Sequence, residues 1–539
     1  MSDDSGRRVT PPEILERARS QLPVYAALAD SSFDRRRFLE LTAASMALMG
    51  LAGCGPEVEP RDRQPYVEQP VGIVPGRPRY YATATAPQGY GEGVLIEHQM
   101  GRPIKVEGNP DHPASLGATS AIGQATMLAL YDPFRADALT LDGSISTWPA
   151  LATAVIERRR SLLAQHGRGL ALLTGAVTSP TLAEQIEALA RELPQLRWYE
   201  WEAVDRDAAR AGAQLAYGRP VDLLPDFAAA DVILGIESDF LASAPGHLKF
   251  ARDFASRRRA AEVQGRMSRL YALESTPTLT GAKADHRLAM SPDEIEAALR
   301  RLAGALGAGP KEWSSIAHAR AQALDAMAAD LRGAHGRALV HAGASQSPAV
   351  HALAAALNHA LGAHGTCLAA IEPIAVEPRQ SAHTLSDLTD AISRGAVDTL
   401  LILAANPAYG APADLGFTDA LRRVPFSIYL GEYADETAEA IRWHVPRTHE
   451  YEAWSDVRAF DGTVTIQQPQ MRPGGERRTA HELLALIAGQ TSPDALAIVR
   501  QHWQRRAREH GMGDFETYWT QALRAGVVPD TAAARIEVT

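Results

Sequence analysis

Few side chains in this sequence stand where chemistry could be done, and the cysteines are the scarcest of them. Only Cys54 and Cys367 occur in 539 residues, too few for a four-thiolate iron–sulfur cluster or zinc site. His351 and His359 lie eight apart on roughly one helical face, flanked by His341 and His364. A metal prefers two ligands one turn apart with a carboxylate beside them. His444, His449, Glu450, Glu452 and Asp456 gather near Trp443 and Trp454. Such a cluster could do acid–base work or hold a metal, and it reads more simply as a packed polar loop. Ser345, in "GASQS", lacks the trailing glycine of a nucleophile elbow. Gly304, Gly307 and Gly309 fall where a helix runs into a loop rather than after a strand, so they make no dinucleotide fingerprint. Cys367 reads as a small buried residue.

The densest chemical signal is instead near the start, in "RRRFLELTAASMALMGLAGCG" (35–55). Its apolar core, Leu41 to Ala52, is 12 residues, where a spanning helix needs about 20. A basic segment, a short apolar run and small residues before a cysteine fit an export signal. Arg35 and Arg36, followed by Phe38 and Leu39, resemble the twin-arginine signal for export of folded proteins. Leu51-Ala52-Gly53-Cys54 resembles a lipobox, in which cleavage precedes the cysteine and Cys54 is acylated. The alternatives are a buried structural helix, and a small-residue cleavage site that contains a cysteine by chance. Residues 55–78 are proline-rich and suit a semi-rigid tether.

The remaining chain must supply the elements. Hydrophobic residues make up 46% and charged residues 22%, an ordinary globular balance, and the length calls for more than one lobe. A net charge of −10, with no long basic tract, argues against nucleic acid as a partner. "YYATATA" and "GVLIEHQMGRPIKVEGNP" alternate as strands about a turn at Met100-Gly101-Arg102. Farther on, strand–helix units repeat as in a doubly wound parallel sheet. Strands are expected in 169–177, 230–239 and 268–276, and a second series in 337–345, 397–409 and 425–433.

"GRPIKVEGNPDHPASLGA…GQ…LYDPFR" (101–135) resembles the N-terminal domain of the molybdopterin oxidoreductases of the dimethyl sulfoxide reductase type. "NPAYGAP" (406–412), "DETA" (435–438) and 449–473 resemble later parts of that family. The last stretch is similar to the large iron–sulfur subunit of alternative complex III. The displaced leader resembles the variant twin-arginine leaders of one group of such proteins. The resemblance implies an α/β fold: a small β-rich domain (79–136) and two doubly wound lobes. The first lobe is expected over 137–335 with a C-terminal extension over 460–539, the second over 336–459, after the leader (1–54) and linker (55–78).

Catalytic members carry a cysteine in "G-x-x-C-x-K-G" as a cluster ligand, with a lysine two residues on between cluster and pterin. Here the window is "GATSAIG": Ser120 takes the cysteine's place and Ile122 the lysine's. A serine hydroxyl is a poor iron ligand. The family's metal ligand sits in the first lobe, where 198–214 has no cysteine. The family's C-terminal barrel, which cradles part of the dinucleotide pterin, and the subgroup's ferredoxin-like module have no counterpart in the sequence. The resemblance therefore implies a non-catalytic, exported scaffold subunit of a membrane-bound, quinol-oxidising electron-transfer complex, with no catalytic, metal or cofactor residues of its own. Expected partners are iron–sulfur and multi-haem cytochrome subunits and polytopic quinol-binding subunits. The expected location is the periplasmic face of the bacterial inner membrane, lipid-anchored or peripheral. The alternatives are a periplasmic molybdopterin-binding oxidoreductase and a lipid-anchored small-molecule-binding protein.

Overall fold

Alternating strand residues of Ile73–Thr539 feed opposite faces of two parallel sheets. A computed structural model describes residues 73–538 apart from 75, 265–266, 311–317, 377–383 and 404–405. In the larger sheet Leu170, Leu172, Leu401 and Leu403 enter one core, while Ala171, Leu173, Leu400 and Ile402 enter the other. Both faces are covered, which is why "LALLT" and "TLLIL" are apolar throughout rather than alternating. The smaller sheet does the same: Leu234, Leu273 and Val340 face one core, and Ile233, Leu270 and Leu339 the other.

The larger sheet's parallel strands run in the order Trp443–Pro446, Phe426–Gly431, Thr399–Leu403, Leu170–Thr174, Arg197–Glu200, with a short antiparallel edge at Thr140–Leu141. The smaller sheet runs His286–Ala289, Arg269–Glu274, Val232–Ile236, Ala338–Ala342, all parallel. Every strand named from the sequence is present. Their grouping differs from the expected division into 137–335 and 336–459. Ala338–Ala342 pairs with Val232–Ile236, and Thr399–Leu403 pairs with Leu170–Thr174. The smaller sheet is thus inserted between strands of the larger one. Local apolar pattern marks a strand but not its neighbour, because parallel partners are joined by long crossovers.

Before these sheets comes an antiparallel meander of Arg79–Thr85, Glu92–Gln99 and Arg102–Gly108. Its second turn uses Met100 and Gly101 at φ 53° and 79°, the paired left-handed conformation that matches strand twist. Helix Ala121–Leu130 follows, capped by Ser120. Of the C-terminal part, Leu483, Leu484, Leu486 and Ile487 join a core of the larger sheet, whereas Val499, Trp503 and Trp519 pack with Val464 and Ile466 in a separate cluster. The unit Met1–Gly72 lies outside the described residues. No described helix is long and apolar enough to cross a membrane.

Candidate functional site

The carboxyl ends of both sheets open on one cavity of about 1020 Å³, the place where doubly wound folds hold ligands. Thr174, Gly175 and Ala176 reach it from the larger sheet, Glu237 and Ser238 from the smaller. Glu450 and the hairpin residue Asp456 also line it.

The lining is acidic: among the described residues it presents eight carboxylates and three arginines. Seven of the eight carboxylates accept a backbone N–H of this chain. Glu202 Oε1 takes Ala176 N–H at 3.0 Å, and Glu450 Oε2 takes Ala86 N–H at 3.0 Å. Glu237, held at φ 43°, ties three strand ends together. Its Oε1 accepts Ser275 N–H at 2.9 Å, and its Oε2 accepts the Gln346 amide at 2.9 Å. The eighth, Glu200, pairs with Arg210 at 3.0 Å. Burial pushes Glu202 above the ordinary carboxylate range, and the Ala176 N–H draws it partly back. Burial lifts Glu450 to about 7. His341, whose Nδ1 lies 2.6 Å from Ser238 Oγ, is held by burial at about 4, as is His351. Both imidazoles are neutral at pH 7.

Ser120 stands outside this cavity. Its Oγ accepts Gly123 N–H at 2.9 Å and lies 3.4 Å from Glu92 Oε2, the arrangement of a helix N-cap. Ile122 projects outward on the same helix, 58% exposed. Arg35, Arg36, Phe38, Leu39 and Cys54 lie outside the described residues. Cys367 is buried, with Sγ 3.4 Å from Ala338 O. Gly307 ends helix Pro292–Leu306 at φ 78°. The polar cluster of 444–456 divides. His444 stacks on Tyr429, Glu452 meets Arg135, and Glu450 and Asp456 face the cavity. Among the described residues no three His, Cys, Asp or Glu side chains gather as a metal site.

The chain resembles acetylene hydratase from Pelobacter acetylenicus in structure, with a TM-score of 0.55 at 12% identity over 76% of this chain and 68% of that one. The fold is that of the molybdopterin oxidoreductases. In sequence the chain is similar to the menaquinone reductase, molybdopterin-binding-like subunit of Nitratidesulfovibrio vulgaris. The two are 26% identical over 476 residues, 79% of this chain and 67% of the relative. No family model matches.

A molybdopterin-oxidoreductase fold packs its two lobes around the pterin, and a dinucleotide pterin brings a pyrophosphate with it. The residues lining this cleft do not fit that group. Seven backbone N–H donors around the cavity already hold carboxylates, and even without Glu200, Glu202 and Glu450, which burial raises, five acids face three arginines and oppose further negative charge. Glu202 and Glu237 were invisible to sequence reasoning as site residues. The available signal was position, since Glu237 follows directly on the buried strand Val232–Ile236 and Glu202 comes two residues after Arg197–Glu200.

Proposed function

We propose that this chain is a non-catalytic subunit of a membrane-associated, quinone-linked electron-transfer complex, built on a molybdopterin-oxidoreductase fold. The observation that carries the reading is the cleft, whose backbone donors at strand ends and helix starts are taken by the chain's own carboxylates. The similarity to a menaquinone reductase subunit over 476 residues supports the quinone link. That relative's name carries quinone reduction, the reverse of the quinol oxidation expected from the sequence, so the proposal is made for the quinone-linked class.

The subunit's work is then to hold partners. Ile122, Leu128 and Phe134 are large apolar side chains exposed within one segment, at 58%, 76% and 83%, and offer a partner a place to bind. Its partners are redox subunits bearing clusters or haems and quinone-binding membrane subunits. It acts on the periplasmic side, delivered by Arg35 and Arg36 and tethered through Cys54.

The test is isolation from the native membrane in mild detergent. Co-migration with cluster- or haem-bearing chains, and no molybdenum, tungsten or iron assignable to this subunit, is the expected result. Stoichiometric molybdenum in the separated subunit overturns the reading in favour of a pterin enzyme.

A further inference from the structure

A strand followed by glycine and then by a helix can receive an anion. The glycine lets a ligand approach the backbone, and the helix N-terminus offers unpaired N–H groups. Leu170–Thr174 ends in this way. Gly175 and Ala176 follow, then Ser179 caps helix Pro180–Glu192. Both donor groups are occupied from within. A Cβ on Gly175 would stand 2.9 Å from Glu202 Oε1, so the carboxylate rests on the bare face of this glycine. The same oxygen accepts Ala176 N–H at 3.0 Å. At the helix start Asp456 Oδ1 accepts Thr181 N–H at 3.2 Å. Asp456 also receives the hydroxyls of Ser179 and Thr181 and the indole N–H of Trp503, and it is only 1% exposed.

We propose that Glu202 and Asp456 are built-in anions that stand where the phosphates of a ligand would sit, making Glu202 the residue that sets this cleft against phosphate-bearing molecules. Asp456 is enclosed and structural, while Glu202 borders the cavity and is the replaceable half. Removing it frees one backbone donor and one negative charge at the point of closest backbone approach.

The inference rests on the reading of the cleft as one without a resident cofactor, yet the two fail separately. Molybdenum in the isolated subunit overturns that reading. A molybdenum-free subunit that binds pyrophosphate overturns this one alone. The experiment is calorimetric titration of the full chain with inorganic pyrophosphate. Wild type is expected to give no binding heat, and Glu202→Ala to bind pyrophosphate about tenfold or more tightly than wild type. Glu202→Gln, which keeps an oxygen for Ala176 but loses the charge, is expected to fall between. Equal affinity in wild type and Glu202→Ala, or no gain in a folded Glu202→Ala, overturns the proposal. A measurement that needs no variant is hydrogen exchange at the Ala176 amide of wild type. Exchange unchanged by pyrophosphate supports the inference, and slowing by pyrophosphate refutes it.

Discussion

Arg135 and Glu452 form a buried ion pair, Nη2 to Oε2 2.5 Å, with side chains 1% and 2% exposed, 317 positions apart in the sequence. The pair fastens the end of the N-terminal domain to the loop beyond the larger sheet, and Arg477 Nη1 joins it at 3.2 Å. Removing Glu452 leaves the Arg135 guanidinium uncompensated in a dry site, which costs about 3–5 kcal/mol, whereas removing Arg135 leaves Glu452 paired with Arg477. Glu452→Gln should lower the unfolding free energy from urea titration by an amount of that order, and Arg135→Met by less. The double replacement Arg135→Met/Glu452→Gln should cost less than the two single changes added together. Strict additivity in the double-mutant cycle would show that the two groups do not act as a pair.

Stability should respond to acid in a direction fixed by the buried titrating groups. Burial holds His112, His341, His351 and His481 at about 4 and His449 at about 3, from 6.5. Between those values and 6.5 the unfolded chain binds protons that the folded chain refuses, so stability is lost as pH falls. Glu92 and Glu450, lifted by burial from 4.5 to about 7, work oppositely. Their contribution is full below 4.5 and is lost as pH rises through 7. Five groups outweigh two, and the thermal midpoint should drop between pH 6.5 and pH 4.5. Glu92→Gln should gain stability over wild type at pH 8 and not at pH 4.5. A difference that does not vary with pH counts against this assignment.

Ser120 is a cap, and its replacements should show it. Ser120→Ala should cost about 1 kcal/mol, the usual worth of an N-cap hydroxyl, read from denaturation midpoints. Ser120→Cys restores a thiol but not the other three ligands of a cluster, since the chain has only Cys54 and Cys367 besides. After reconstitution with iron and sulfide it should show no cluster absorbance. A stoichiometric cluster in that variant would undo the view that this position has lost its role.

The leader can be tested without any coordinates. Arg35→Lys with Arg36→Lys should leave the precursor in the cytoplasm, measured by fractionation with an antibody, and normal export would reject the twin-arginine assignment. Mass spectrometry of the mature N-terminus should find an acylated Cys54. More than one acyl chain is needed for stable attachment, so the mass should correspond to a multiply acylated cysteine. An unmodified terminus at another residue excludes the anchor.

Much of the architecture was legible because it is written in short range. "LALLT", "VILGI" and "TLLIL" are continuous apolar runs closed by Gly or polar residues, and all three are buried strands. Ser120 could be placed opposite the family's cysteine, but its hydrogen bond to Gly123 appears only once the helix is formed. The site was harder for a physical reason. Glu202 and Ala176 are 26 residues apart, and Asp456 and Thr181 are 275 apart. Whether a carboxylate is a ligand, a general acid or a plug depends on which backbone amide the fold carries to it. The lobe boundary failed likewise, because strand partnership is a property of crossovers and not of the strands.

The inserted smaller sheet also sets a schedule for synthesis. Leu170–Thr174 emerges long before its neighbour Thr399–Leu403, with the whole smaller sheet between them. At ribosomal rates of about 5–20 residues per second, the 225 residues from 174 to 399 keep that strand's inner edge unpaired for about 10–45 seconds. Until then its backbone donors and acceptors are an open invitation to other chains. A nascent polypeptide of this order has reason to be met by holding chaperones until the late strand arrives.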